Sequence, residues 1–277
     1  VARRATGIKQ LRSQNPNLLL LDAGNALTGQ DVANQSHGLA IVEAMNLMGY
    51  DALALGAAEL QLPLPELRAA IAQARFKVLS ANVVTVDGKL LLEPYAVLEV
   101  GGRRVGLLGL TGTDARNPDL TVRDPLTTAQ EYVPRLAQEA DLVVVLSNAG
   151  LTTNQQIAAR VPGIAVLVGG GGRTYLQQPE VINPTRTVMV QAGYEGRWLG
   201  VLQLRLDNRH VITDQQGQLW LLDRTVADDP DMVALVNRYK NRAGQPTATT
   251  VPPTPTSPPV PIPTKTPPTY PSPSPGT

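Results

Sequence analysis

The chain has 277 residues, 43% of them hydrophobic, enough for one large α/β domain or two small ones with a sizeable core. Lys and Arg total 24 against 23 Asp and Glu, a formal net charge of +1, so no overall field recruits nucleic acid or an anionic membrane. The lack of cysteine excludes a disulfide framework, a thiolate zinc site and a cysteine nucleophile, and only His37 and His210 offer imidazole.

The elements alternate in type from the start. The chain begins at Val1 without methionine and enters a helical pattern at once, which reads as a processed or truncated start with any signal segment outside the sequence. Periodicity predicts a helix over Arg3–Gln14, a buried strand over Leu18–Asp22 and a helix over His37–Met48, with Ile41, Ala44, Met45 and Met48 on one face. Gly49 closes that helix and Ala52–Leu55 is the next strand. Then follow a helix Pro65–Ala74, a strand Lys77–Val83, and a hairpin of Tyr95–Val100 with Arg103–Leu108 turning at Gly101 and Gly102. A helix over Thr128–Glu139 precedes a strand Asp141–Leu146, a helix Asn154–Arg160 and a strand Ala165–Val168. Thr187–Ala192, Trp198–Asp207 and Leu219–Leu222 alternate as antiparallel strands do, and Pro230–Arg242 is a closing helix. Short strands alternating with helices give an α/β domain with substantially parallel pairing, and no apolar run reaches the roughly 18 to 20 residues that span a bilayer.

Composition changes abruptly near Gln245. Thirteen of the 24 prolines fall between Pro246 and Pro275, interleaved with Thr and Ser, and such a stretch cannot build a core. Residues 245–277 are expected to be a disordered, polyproline-like stalk or linker, with a reach on the order of 100 Å at roughly 3.1 Å per residue. Residues 1–244 form the folded part.

In an open α/β sheet, chemistry gathers in loops beyond the carboxyl ends of the strands. Four such loops occur: Asp22-Ala23-Gly24-Asn25, Gly56-Ala57-Ala58-Glu59, Ser147-Asn148-Ala149-Gly150, and Gly169-Gly170-Gly171-Gly172-Arg173-Thr174. Together with Arg4-Ala5-Thr6, Ile8-Lys9-Gln10-Leu11, Gly49-Tyr50-Asp51-Ala52, Leu79-Ser80-Ala81-Asn82-Val83 and Gln191-Ala192-Gly193, they occur in consistent order and spacing. On these blocks the chain resembles the N-terminal domain of 5′-nucleotidases and related calcineurin-like metallophosphoesterases over nearly all of residues 1–225.

The resemblance implies a four-layer α/β/β/α sandwich, with two mixed sheets between helices and two divalent metal ions at the strand ends. The ions would clamp a phosphate, generate hydroxide and steady the leaving oxygen. The same resemblance implies that the ligands are gone. Its first strand, with an Asp-x-His pair, would precede Val1, so the domain 1–244 is expected to lack that strand. Asn25 stands where the family places a bridging Asp, Ala57 where it places a ligand Asn, and Ala58 where it places the catalytic His. Asn148 replaces a ligand His, and Gly171 and Arg173 replace two more. Neutral amides, alanine and an always-protonated guanidinium cannot balance two divalent ions, so no metal, no cofactor and no catalytic residue is expected.

The remaining loop residues read in two ways. Asp22 and Glu59 are either an acid–base pair or carboxylates that hold loop backbone. Gly170, Gly171, Gly172 and Arg173 are either an anion cradle or a flexible turn. Asn25 and Asn148 either bind a polar ligand or make local turn bonds. Arg197 and Trp198 mark either a contact surface or a strand end with a snorkelling Arg. His37 is expected to open a helix and His210 to lie in a polar turn. With Phe76 the single phenylalanine, no base-stacking pair is evident.

The functional expectation is an exported pseudo-hydrolase that acts as a binding or scaffolding module, extracellular, periplasmic or on the cell surface. Its partner would be a cell-surface polymer, another protein or a small anionic ligand. The alternative is a divergent metal-dependent phosphoesterase that hydrolyses nucleotides or related phosphoesters.

Overall fold

The computed structural model describes residues 1–29 and 31–243; the Pro/Thr-rich stalk expected over 245–277 lies outside the described residues. Residues Val1–Gly244 form one compact unit.

In chain order, α1 (Ala2–Gln14) leads into β1 (Leu21–Asp22), then α2 (Asp31–Gln35), α3 (Leu39–Met48) and β2 (Ala52–Ala54). A single 3-10 turn at Glu59–Gln61 precedes α4 (Leu64–Ile71), β3 (Lys77–Leu79), β4 (Val83–Thr85), β5 (Tyr95–Val100), β6 (Arg103–Thr111) and β7 (Leu120–Val122). The chain continues through α5 (Pro125–Glu139), β8 (Leu142–Asn148), α6 (Leu151–Arg160), β9 (Val166–Gly169), β10 (Glu180–Ile182), β11 (Thr187–Gln191), β12 (Trp198–Leu206), β13 (Ile212–Leu221) and α7 (Pro230–Ala243).

These elements stack in four layers, as the resemblance implies. A six-stranded mixed sheet runs in the order β10-β11-β9-β8-β6-β5. Its outer face packs on α5 and α6, where Val133, Leu136, Ile157 and Ala158 meet Leu108, Val143, Val145 and Leu167. Its inner face carries Leu107, Val144, Leu146, Val166 and Val188, which pack against Ala52 and Ala54 of β2, Leu79 of β3, and Leu202 and Leu204 of β12. Beyond that second layer α1, α3 and α7 close the molecule, joining Ile8, Met45 and Met232 to Leu53 and Leu199.

The second layer is not the single mixed sheet expected. It consists of a parallel three-stranded sheet, β1-β2-β3, and a separate antiparallel pair, β12-β13. Leu18–Asp22 and Leu199–Arg205 line the same cavity of about 1170 Å³, with Val144, Val166 and Val168 of the large sheet beneath and Ile8, Met45 and Met48 above. The edge of β1 and the free edge of β12 therefore border an apolar gap.

Several local expectations give way to side-chain hydrogen bonding, which competes with ladders and helices. The strand expected over Lys77–Val83 breaks into β3 and β4. Between them Ser80 Oγ pairs with Thr111 Oγ1 at 3.0 Å, and Asn82 bonds to the Thr111 backbone in both directions. The strand expected over Leu18–Asp22 shortens because the Leu20 N–H goes to the Asp51 carboxylate at 2.7 Å. His37 does not open a helix. It sits at φ 49° in the turn between α2 and α3, followed by Gly38 at φ 85°. β11 pairs antiparallel with β10 but parallel with β9, and four of its five residues are buried. Burial on both faces is the mark of an interior strand and erases the alternation an exposed antiparallel strand shows. β13 starts at Ile212 rather than Leu219, because a half-exposed ribbon tolerates the polar run Asp214–Gln216 that hides it.

Candidate functional site

All four glycine-rich loops follow the carboxyl ends of strands β1, β2, β8 and β9. Side-chain hydrogen bonds tie the first three into one cluster, and backbone hydrogen bonds join the fourth. The fully buried Glu59 accepts the N–H groups of Asn25 at 2.9 Å, Leu27 at 2.8 Å and Gly56 at 2.8 Å. Three donors converging on one carboxylate hold the first loop against the second. Position 56 must be glycine for this, since a Cβ there would lie 2.4 Å from Asn25 N and 2.7 Å from Glu59 Oε2.

The two asparagines at positions where the resemblance implies metal ligands repeat the arrangement. Asn25, at φ 62°, accepts the Ala58 N–H on its Oδ1 at 2.8 Å. Buried Asn148 accepts the Ala57 N–H at 3.1 Å and donates from Nδ2 to the Ala23 carbonyl at 2.8 Å, so it bridges the first and second loops from the third. The amide groups that would face an ion are spent on neighbouring backbone. Ala57 packs in an apolar cluster with Leu55, Leu60 and Leu67.

The fourth loop joins through backbone. The Gly170 N–H donates to Ser147 O at 2.7 Å, and the Gly150 N–H donates to Gly170 O at 3.2 Å. Gly171 has φ 76°, and a Cβ there would meet Asn148 O at 2.6 Å, so this position rejects the side chain a ligand would need. Gly172 borders open space at φ 86°. Arg173 is exposed and lies over the Tyr194 ring, 5.5 Å from its centroid, and does not line the gap that borders Gly170–Gly172.

Asp22 behaves differently from Glu59. Burial pushes its carboxyl up to about 6, against the pull of the Arg4 guanidinium and the Gly24 N–H, which donates to it at 3.0 Å; the Glu59 charge adds to the rise. Arg4 in turn is half-buried; burial opposes its charge, but Tyr50 and Asp22 hold its proton more firmly than usual. Arg4 and Tyr50 were visible in the matching blocks but carried no assigned role. Their meeting across 46 positions, with Nη1 3.5 Å from the phenol oxygen, has no local sequence signal.

A two-metal centre does not fit these residues. Asn25 and Asn148 already bond to backbone, Ala57 and Ala58 lack donors, and Gly171 has no room for an imidazole. Among the described residues no group of three or more His, Cys, Asp or Glu could hold a metal ion. What the cluster can do chemically is lock four loops together and present one carboxyl of raised proton affinity.

No family model matches the chain. The chain is 31% identical, over 87% of its length, to a snake venom 5′-nucleotidase of Gloydius brevicauda, covering 46% of that protein. It thus spans about half the length of the curated relatives it matches. Among solved structures it is similar to a 5′-nucleotidase precursor from Thermus thermophilus, with a TM-score of 0.77 at 31% identity, over 87% of this chain and 52% of that one. It also superposes on the calcineurin-like phosphoesterase YfkN from Bacillus subtilis, with a TM-score of 0.76 at 22% identity, over 88% and 89% of the two chains.

Proposed function

We propose that the chain, similar to 5′-nucleotidases and calcineurin-like phosphoesterases over most of its length, keeps their frame without a hydrolytic centre and serves as an exported binding or scaffolding module. One observation carries this reading. Asn25 and Asn148, at positions that would face metal, hold the backbone of Ala58, Ala57 and Ala23 instead. Buried Asn148 is engaged at both ends, and freeing it for a cation would leave buried backbone groups unpaired at a cost of about 1–3 kcal/mol each, whereas exposed Asn25 is held through its oxygen alone.

Export is part of the same reading. It is supported by relatives whose names place them in snake venom, and by the Pro- and Thr-rich composition of residues 245–277. No helix among the described residues is long and apolar enough to cross a membrane.

The test is elemental analysis of the purified full chain, with turnover of AMP and of p-nitrophenyl phosphate in added manganese or zinc. The expected result is substoichiometric metal and no turnover above the buffer rate. Two bound ions with turnover abolished by chelator would replace this reading with that of a divergent phosphoesterase.

A further inference from the structure

Immediately after the fourth loop, two aromatic rings stack that no local sequence pattern pairs. Tyr175 and Trp198 lie with centroids 5.1 Å apart and ring planes at 30°, and Tyr175 remains 41% exposed. Tyr175 is pinned by an antiparallel bridge to Ala192, and the next residue donates its N–H to Gln191 O at 2.9 Å. Gly193, at φ 87°, lets the two residues approach, since a Cβ there would already touch the Trp198 ring and Tyr175 Cβ at 3.3 Å.

Beside the rings is a pocket of about 410 Å³ between the segment that follows Tyr175 and the β12–β13 ribbon. The segment closes on the ribbon because Gly217 leaves space for Pro179, whose Cγ would lie 2.4 Å from a Cβ at that position. Gln177, Gln178 and Gln218 line the pocket, and all three are exposed. Their amides enter none of the hydrogen bonds of the described residues. Among the described residues no charged side chain lines the pocket.

We infer that this corner binds a neutral saccharide. The C–H face of a pyranose ring stacks on an exposed aromatic face, and the ring's hydroxyls each need a donor or an acceptor. A glutamine amide supplies both, so three of them around one aromatic shelf match a polyol better than an apolar ligand. With no cation in the lining, a phosphate or uronate lacks a partner, which turns the pocket away from nucleotides and acidic polymers. Gln177, Gln178, Trp198 and Gln218 also line the far side of the cavity of about 1170 Å³ that reaches Asp22 and Asn25, but the aromatic shelf and the three amides use none of the loop carboxylates or asparagines.

The experiment is calorimetric titration of the full chain with cellohexaose and with chitohexaose, alongside AMP and polygalacturonate as charged comparators. At least one neutral oligosaccharide is expected to bind, with Tyr175→Ala weakening it by about fivefold or more. Gln177→Ala and Gln218→Ala are expected to weaken it too, with circular dichroism unchanged in all three variants. These exposed positions avoid the folding risk of replacing Trp198. No heat with either neutral oligomer at millimolar concentration would overturn the inference. So would affinity untouched by Tyr175→Ala, or AMP binding that the same variant abolishes.

Discussion

Asp22 and Glu59 are carboxylates in adjoining loops with different work, and the difference is written in their donors. Glu59 takes three backbone N–H groups, whereas Asp22 takes one and lies where burial raises its carboxyl to about 6 from the ordinary 3.8. A folded-state pKa above the unfolded value means that the native state binds the extra proton between about pH 4 and 6. The stability this proton confers is complete below pH 4 and is lost as pH rises through 6. A displacement of this size corresponds to about 3 kcal/mol. Urea unfolding of the parent and of Asp22→Asn at pH 4.5 and 7.5 reads it directly. The variant is expected to lose less stability between the two pH values, and equal losses would refute the assignment. The choice between acid–base chemistry and backbone support could not be made from sequence, because it depends on contacts such as Asn148 with Ala57 and Ala23, across 91 and 125 positions.

The open edges of β1 and β12 follow from pairing. In β12 alternate residues bond to β13, and the N–H of Leu222 donating to Arg197 O sets the phase. The amides of Gly200, Leu202 and Leu204 therefore point away from β13, toward the gap of about 1170 Å³. Hydrogen exchange should find these three amides far less protected than Val144 and Leu146, which sit between paired neighbours in β8. Equal protection would mean that the gap is closed in solution by another strand, an exposed edge being a standing template for one. Helices and the hairpin at Gly101 and Gly102 were legible because helical apolar spacing and paired glycines act locally, whereas the four layers came from the family resemblance; both glycines take positive φ, as a tight turn requires. The division of the second layer was not legible, because Leu18–Leu21 reads as a buried strand whether or not its far edge is paired. β7 and β10 were missed for a related reason, since three residues are too few to show a period.

Among the described residues four apolar clusters hold the fold together, and one of them contains Ala57, the position where the resemblance implies a ligand. A two-metal protein draws part of its stability from ions that bind only the native state, by RT ln(1 + [L]/Kd), about 2.7 kcal/mol at a hundredfold excess over Kd. In a domain of this size each kcal/mol moves the melting temperature by about 2–4 °C. Saturating a genuine centre would therefore raise the melting temperature by roughly 5–10 °C. Here Glu59, Asn25 and Asn148 already join the loops, and on the proposed reading no ion adds to that stability. Manganese should leave the thermal transition of the full chain where it is, and EDTA should not lower it. A manganese-dependent rise reversed by EDTA would show that the asparagines let go of the backbone to take an ion. The stabilised loops would then be the resting form of a working site rather than its replacement.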